Sequence, residues 1–239
     1  MRVFIVGGVG FISSALAERL TNAGHAVLSG DSSEVPDVVV DLDAAVPGHA
    51  RESLRTWDGR ARRIVLGSSL ASFPGDEYAC ISECGFWLGR SEVTIVRLGH
   101  VYGSGDPQLG LAALAQRLRQ SGGEIRLSCA EAWRHTPRLY CDNAGAGLAL
   151  AATARAAAGR IYNLVDTWQG PDWQWVQLVG RAIGLPGRIV IASGQAPALS
   201  AIPSSRRIQR ELGYREMVSA PDAVRLMLAP GQPLAAVGA

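Results

Sequence analysis

The residues best placed to bind a ligand are two glycines near the start of the chain. Gly7 and Gly10 follow directly after the apolar run 2–6, and residues 13–20 then show the spacing of an amphipathic helix. A strand, a glycine turn and a helix are the context that a dinucleotide site requires. Gly7 permits the tight turn, and Gly10 lets the backbone approach a pyrophosphate at the start of the helix. Ser13 occupies the third glycine position, which is a departure from the pattern.

A carboxylate follows the glycine turn at the spacing expected for a residue that binds the ribose of a dinucleotide. Residues 26–29 are predicted to form a second strand, and Asp31 ends it, 21 residues after Gly10. A carboxylate there would accept hydrogen bonds from an adenosine ribose and repel a 2′-phosphate. The alternative is that Asp31 is an acid in a turn before Ser32. Because turn and acid occur together, the sequence favours the cofactor interpretation.

At this point the chain resembles the extended short-chain dehydrogenase/reductase family, the NAD-dependent epimerase/dehydratase group. The segment 7–12 looks like the nucleotide turn of that family. The later segments that agree in order are 64–69, 97–103, 133–136, 161–163 and 210–214. The resemblance implies an NAD cofactor, with NADP left open. The cofactor contacts that it implies are Gly7, Gly10, Phe11, Ile12, Asp31 and Ser32.

A serine-rich loop is predicted at the carboxyl end of the strand 64–67, where open α/β sheets place their chemistry. It contains Ser68, Ser69 and Ser72. In the resembled family a serine or threonine bonds the reacting oxygen of the substrate, and Leu70 stands at that position here. Ser69 or Ser72 would have to take over this role. The alternative is that these serines satisfy backbone groups in a loop.

The proton relay of the family is missing from this sequence. That relay is a tyrosine followed four residues later by a lysine, which lowers the tyrosine pKa. Tyr78 is the nearby tyrosine, but Ser82 stands four residues on, and the chain contains no lysine. Three explanations stay open: another proton donor, a reaction without hydride transfer, or nucleotide binding without catalysis. Ser68, Ser69 and Tyr78 are the candidate catalytic residues.

Further residues are candidates for binding the substrate. His100 stands where the family commonly has an asparagine in the pocket, and Trp133 and His135 belong to a loop that resembles the substrate-lobe loop. Trp168 precedes a Gly-Pro turn and could wall the pocket. With Ser72, these residues suit a polar ring-shaped ligand. Arg117 could reach a phosphate, although a solvated helix face is the more frequent role of such a residue.

The elements that must position these residues form a narrowed version of the family's sheet. The resembled family has another strand and helix between the ribose acid and the strand at 37–42, whereas here only residues 32–36 fill that interval. We infer a deleted strand-helix step, which makes the second strand an edge. The alternative is that 37–42 is itself the usual outer strand and that its successor was lost.

Later elements follow from the apolar periodicity. We expect a strand at 92–98, a helix at 109–118, a strand at 124–129 and a segment 139–142 that returns to the main sheet. A helix at 143–158 and a strand at 161–165 complete the core, and a helix at 206–213 closes the smaller lobe. Asp142 and Asp172 fit helix N-caps.

The bulk composition excludes several classes of partner. The net charge is +2, and all 23 basic residues are arginines without a basic stripe, which argues against nucleic acid. The four cysteines show neither metal-ligand spacing nor a disulfide framework. No apolar run is long enough to span a membrane. We expect a cytoplasmic protein with a small-molecule substrate and, as one option, a homodimer.

The sequence therefore predicts a doubly wound parallel α/β sheet with a small discontinuous lobe. The cofactor core would be 1–103 plus 139–165, the substrate lobe 104–138 plus 166–229, and 230–239 a loose tail. The predicted function is an NAD(P)(H)-dependent oxidoreductase acting between a ketone and a secondary alcohol on a polar cyclic metabolite, in the biosynthesis of a specialised compound. Alternatives are a lyase, isomerase or cyclase on the same fold, or a catalytically inactive nucleotide-binding protein.

Overall fold

Strands and helices alternate along the first half of the chain. The computed structural model describes residues 1–7, 10–28, 30, 34–44, 48–70, 89–106, 110–185, 188–197 and 202–229. The elements of the first half are β1 (Arg2–Val6), α1 (Phe11–Asn22), β2 (Ala26–Leu28), β3 (Val38–Asp41), α2 (His49–Trp57), β4 (Arg63–Ser69) and β5 (Glu92–Leu98).

The second half adds short strands and most of the helices. Its elements are β6 (His100–Tyr102), α3 (Gly110–Gln120), β7 (Glu124–Leu127), α4 (Cys129–Ala132), β8 (Arg138–Tyr140), α5 (Cys141–Thr153), β9 (Ile161–Leu164), α6 (Asp172–Ala182), β10 (Arg188–Ile191), α7 (Arg206–Leu212) and α8 (Ala220–Leu228).

Six of the described strands form one parallel sheet in the order β2-β1-β3-β4-β5-β9. Its central strands are apolar because both of their faces are covered, and the side chains of 38–40 and 64–66 are fully buried. Helices lie on both faces, which confirms the predicted doubly wound α/β fold. All carboxyl ends of these strands meet at one edge of the sheet.

The order of the strands shows where this sheet lacks a strand of the resembled family. Strand β3 pairs with β1 on one side and with β4 on the other. Among the described residues, no strand pairs beyond β2, which is therefore the edge of the sheet. The deletion of a strand-helix step after the second strand is confirmed, and the alternative placement of 37–42 as an outer strand is wrong.

The main apolar layer lies between the sheet and the helices α1, α5 and α7. Leu16, Leu148 and Ile208 contribute fully buried side chains to it, one from each helix. Helix α7 thus packs on the same layer as the sheet, whereas the sequence suggested that it closes the smaller lobe. The boundaries of the two lobes stay a prediction.

The smaller apolar cluster joins α3, α6 and α8 to two short sheets. Strand β6 pairs with β8, and β7 pairs with β10. The prediction that 139–142 rejoins the main sheet is wrong, because β8 pairs with β6 in a sheet of its own. The strand predicted at 124–129 ends at Leu127, and α4 follows it.

Both predicted N-caps are wrong by one or two positions. Tyr140 occupies the capping position of α5, and Asp142 lies inside its first turn. Pro171 occupies the capping position of α6, and Asp172 is the first helical residue. The carboxylate of Asp172 instead pairs with arginines of a neighbouring segment, so a contact that is distant in sequence determines its role.

Candidate active site

The glycine turn joins β1 to α1 at the carboxyl edge of the sheet. Gly7 has a φ of 78°, which glycine adopts readily. The amide of Gly10 donates to Oγ of Ser13 at 3.0 Å, and that hydroxyl donates to the Gly10 carbonyl at 2.8 Å. The first helical amides, those of Phe11, Ile12 and Ser13, have no carbonyl partner within a helix. Together with the positive end of the helix dipole, they form a place for a phosphate group.

The side chains of Phe11 and Ile12 pack against other parts of the protein. Ile12 packs against the main apolar layer. The Phe11 side chain lies beside Gly105 and lines a cavity of about 490 Å³ that also includes Ser14 and Asp142. We therefore expect the first two helical residues to contact a cofactor through their backbone amides.

An acidic residue, Asp43, lies against the glycine turn. A Cβ atom added to Gly7 would lie 2.7 Å from Oδ1 of Asp43, a residue that follows β3. The side chain of Asp43 is exposed, and its amide donates to the Asp41 carboxylate at 2.9 Å. Gly7 is thus required by its backbone conformation and by the neighbouring carboxylate. Nothing in the sequence pattern singled out Asp43.

Four of the predicted site residues lie outside the described residues: Asp31, Ser32, Ser72 and Tyr78. The ribose contact of Asp31 and the acid role of Tyr78 therefore stay predictions from the sequence.

The two remaining serines lie at the carboxyl end of β4. Ser68 is buried and Ser69 is half-buried. Ser69 pairs in register with Leu98 of β5, and the amide of Leu70 donates to the Leu98 carbonyl at 2.8 Å. This bond holds the end of β4 beside the start of β6, where His100 lies. The structure therefore brings Ser69 and His100 to the same edge of the sheet.

A cavity of about 520 Å³ lies next to this edge, among β6, α3, α4 and α6. Its walls combine apolar side chains with three arginines and three acids. The polar lining residues are His100, Tyr102, Asp106, Arg117, Glu131, Arg134, Thr136, Arg138 and Asp172. A cavity of this size, with a few polar groups among apolar walls, suits a polar small molecule.

Arg138 and Asp172 form the buried ion pair of the cavity wall. Nη2 of Arg138 donates to Oδ1 of Asp172 at 2.9 Å, and Oδ2 accepts from Nε of Arg134 at 2.8 Å and from Oγ1 of Thr136 at 3.0 Å. The Arg138 guanidinium also lies 4.3 Å from the ring centroid of Trp175. Burial lowers the pKa of Arg138, while the Asp172 carboxylate opposes this shift. Because arginine stays charged in proteins, the pair supplies fixed charges.

Of the four predicted aromatic and imidazole residues, one lines the cavity and three lie around it. His100 lines the cavity. Trp133 is 43% exposed and packs edge-on against Trp173, with the ring centroids 6.1 Å apart. Nδ1 of His135 lies 2.8 Å from the Gln169 carbonyl oxygen. Trp168 packs against Trp175 behind the wall. The structure thus brings His100 into the cavity and leaves Trp133, His135 and Trp168 out of its lining.

A buried carboxylate stands behind the cavity. Asp166 accepts hydrogen bonds from the Tyr102 hydroxyl at 3.0 Å, from Nδ2 of Asn143 at 2.9 Å and from the Tyr140 amide at 3.1 Å. Burial raises the pKa of Asp166 to about 6 in spite of these donors. Burial also raises the pKa of Tyr102 above its usual value. The Tyr102 hydroxyl therefore gives up its proton less readily than an ordinary phenol, and its hydrogen bond to Asp166 fixes this wall.

Sequence reasoning missed the residues that build this wall. Arg138 directly precedes the segment predicted at 139–142, and Asp172 resembled a cap, so neither showed a chemical signal. Tyr102 and Asp166 are adjacent only in space, since 64 residues separate them. The arginines near 134–138 together with an acid near 172 are the signal that could have indicated an ion pair.

Several solved structures have the same arrangement of elements. RMD from Pseudomonas aeruginosa, complexed with NADPH, matches with a TM-score of 0.76 at 16% identity over 95% of this chain and 97% of that chain. UDP-glucose 4-epimerase from Thermotoga maritima, with UDP-glucose, matches with a TM-score of 0.72 at 16% identity over the same shares. A short-chain dehydrogenase/reductase superfamily protein from Agrobacterium tumefaciens with bound NAD matches with a TM-score of 0.64 at 16% identity over 95% and 96%.

This chain has the short-chain dehydrogenase/reductase fold. At these identities the likeness shows the fold, and the resemblance seen in the sequence is confirmed at that level. No protein-family model and no curated protein matches the sequence. None of the described helices combines the length and the apolar character needed to cross a membrane.

Proposed function

We propose that this protein is an NAD(P)(H)-dependent oxidoreductase that interconverts a ketone and a secondary alcohol on a polar cyclic metabolite, sugar-like or nucleoside-like. The observation that carries the proposal is the meeting of three features at one edge of the sheet. These are the phosphate-binding start of α1, the serine end of β4 and the polar cavity that includes His100. Ligands of open parallel sheets bind at this edge.

The described residues fit a nicotinamide dinucleotide. The Phe11 and Ile12 amides at the start of α1 would hold the pyrophosphate, while Gly7 and Gly10 keep the turn free of side chains. Such a cofactor, when bound, supplies or accepts the hydride. NAD is favoured over NADP by the ribose role predicted for Asp31, whereas RMD, with the same fold, was solved in complex with NADPH.

The cavity supports the proposed class of substrate. Its 520 Å³ are enough for a sugar ring with polar substituents, and its arginines and acids offer donors and acceptors in fixed positions. The Thermotoga maritima epimerase with this fold was solved with UDP-glucose. We place the activity in the cytoplasm and in the biosynthesis of a specialised metabolite, as the sequence led us to expect.

The proton relay in this proposal works without lysine. Ser69 holds the reacting oxygen at the end of β4. The candidates for moving the proton are Ser68 and His100, together with Tyr78 as predicted from the sequence. The hydroxyl of Tyr102 is not among them, because it donates to Asp166 and burial raises its pKa. An acid without an adjacent ammonium donates a proton at neutral pH more readily than it accepts one. We therefore expect reduction to be easier than oxidation.

Isotope transfer tests the proposed activity. The protein is incubated with NADH deuterated at C4 and a panel of keto-sugars and keto-nucleosides, and the products are analysed by mass spectrometry. The proposal expects deuterium on the new carbinol carbon of at least one product, with a large loss of rate in Ser69→Ala. Cofactor binding without isotope transfer to any member of the panel, and without oxidation of the matching alcohols, would contradict the proposal.

A second candidate is a nucleotide-binding protein without turnover. The absence of any lysine from the sequence favours it, because the relay that the fold usually carries cannot be formed. In that case NADH binds, but no isotope is transferred.

A further inference from the structure

A groove at the amino edge of the sheet lies on the side opposite the glycine turn. Its volume is about 340 Å³, and it is formed by the end of α1, the second half of α5 and the segment 213–217. Because α1 starts beside the glycine turn and runs back along the sheet, its last turn lies at the amino edge. This basal groove shares no lining residue with the cavity of the candidate active site.

The floor of the basal groove is apolar. Leu20 is fully buried and Tyr214 is 3% exposed, and both line the groove. The small side chains of Ala146 and Ala149 leave space between α1 and α5, and Leu150 adds a further apolar side chain to the lining. An apolar floor of this kind binds the hydrocarbon part of a ligand, and the volume lies within the usual range for ligand sites.

Three basic side chains line the groove, beside the hydroxyl groups of Thr153 and Tyr214. Arg19, His25 and Arg215 line it, and no aspartate or glutamate does. The acids next to these arginines in sequence point elsewhere. Glu18 lines the cavity beside Phe11, and Glu216 accepts the amide of Thr167 at 2.9 Å.

Neither guanidinium of the groove forms an ion pair with a carboxylate in the part of the chain that the structure describes. Other arginines of the described surface do pair with a carboxylate, as Arg207 does with Glu211 at 3.1 Å. Arg19 is half-buried, so its charge is less screened by water than a fully exposed one. The groove thus combines an apolar floor with an uncompensated positive rim.

We propose that the basal groove is a second ligand site, which binds a small amphipathic anion: an apolar body of about eight to ten carbon atoms that bears a carboxylate. The hydrocarbon lies on Leu20, Leu150 and Tyr214, and the carboxylate meets Arg19 and Arg215. Because charge-assisted hydrogen bonds are stronger than neutral ones, the anion is preferred over a neutral molecule of the same shape.

Calorimetry with two matched probes tests the charge preference. Sodium octanoate and octanamide have the same hydrocarbon chain and are titrated into the intact protein. We expect octanoate to bind at least about tenfold more tightly than octanamide, which corresponds to one charge-assisted contact. Equal affinity for the two probes, or no octanoate binding up to its solubility limit, would overturn the proposal.

Charge-removing variants then locate the site. Arg19→Gln and Arg215→Gln should each weaken octanoate binding severalfold and leave octanamide unchanged. Arg188→Gln is the matched control, because it removes the same charge from an exposed position on β10. Octanoate affinity that is unchanged in both groove variants, or reduced as much by the control, contradicts the assignment.

A variant that fills the groove distinguishes a ligand site from a contact surface between two copies of the protein. Ala149→Trp places a large side chain in the space between α1 and α5, and octanoate binding should be lost while the protein stays a folded monomer or dimer as before. If octanoate never binds and Ala149→Trp instead dissociates a dimer in sedimentation, the groove holds a second copy and the proposal is wrong. If this variant does not fold, the arginine variants and their control decide the question.

Discussion

Replacing Gly7 by alanine separates two reasons for glycine at this turn. The backbone of Gly7 has a φ of 78°, and a Cβ there would lie 2.7 Å from Oδ1 of Asp43. Gly24 offers a matched control, because its φ is 77° and a Cβ added to it would meet nothing within 4 Å. Gly24→Ala therefore measures backbone strain alone, and Gly7→Ala measures strain plus the collision with Asp43.

The expected magnitudes follow from this comparison. The left-handed conformation costs a non-glycine residue about 1–2 kcal/mol, so Gly24→Ala should lower the free energy of unfolding by that amount. At Gly7 the Asp43 side chain must also leave its rotamer, which adds about 0.5–1.5 kcal/mol. The added cost stays small because Asp43 is exposed and can turn toward water.

Urea unfolding of the two single variants and of Gly7→Ala/Asp43→Ala is the assay. The double variant should recover the difference between Gly7→Ala and Gly24→Ala, since no carboxylate remains to be displaced. Gly7→Ala should also weaken NADH binding at least about tenfold, because the displaced turn carries the phosphate site. Equal destabilisation by Gly7→Ala and Gly24→Ala, with no recovery in the double variant, would refute the reasoning.

Three further predictions concern the cavity and the relay. Arg138→Met should cost about 1–3 kcal/mol of unfolding free energy, because Asp172 loses its buried partner and keeps only the donors of Arg134 and Thr136. Arg138→Met/Asp172→Leu should recover much of that loss in urea unfolding, and no recovery would contradict a penalty from the carboxylate. Burial raises the pKa of Asp166 to about 6, so the folded protein favours the protonated carboxyl group. The wild type should therefore lose up to about 3 kcal/mol of unfolding free energy relative to Asp166→Asn as the pH rises from 4 through 6. A difference between the two proteins that stays constant between pH 4 and pH 7 would count against a buried acid. Ser69→Ala should reduce turnover more than Tyr78→Phe in steady-state assays, and the opposite ranking would make Tyr78 the essential acid.

The elements of the sheet could be predicted because parallel strands that are buried on both faces are apolar over their whole length. The runs at 37–42 and 64–67 showed this directly. The short interval at 32–36 also indicated the missing strand, since too few residues were present to form one. The pairing of β3 with β1 agrees with that argument.

The cavity could not be predicted in the same way, because its wall depends on contacts between distant parts of the chain. Asp172 has the local signature of a helix cap, but Arg138 lies 34 residues away and takes its carboxylate. Trp133 and His135 looked like pocket residues from their composition, whereas Trp173 and the Gln169 carbonyl are their partners. Residue types alone do not show which side of a loop faces a cavity.

Equilibrium binding of NADH and NADPH, followed by fluorescence of the nicotinamide, tests the central claim most directly. The account predicts that NADH binds to the wild type and that NADPH binds more weakly, because Asp31 would repel the 2′-phosphate. Asp31→Asn should narrow that difference. Equal or tighter binding of NADPH would contradict the role of Asp31, and binding of neither cofactor would contradict the proposed oxidoreductase itself.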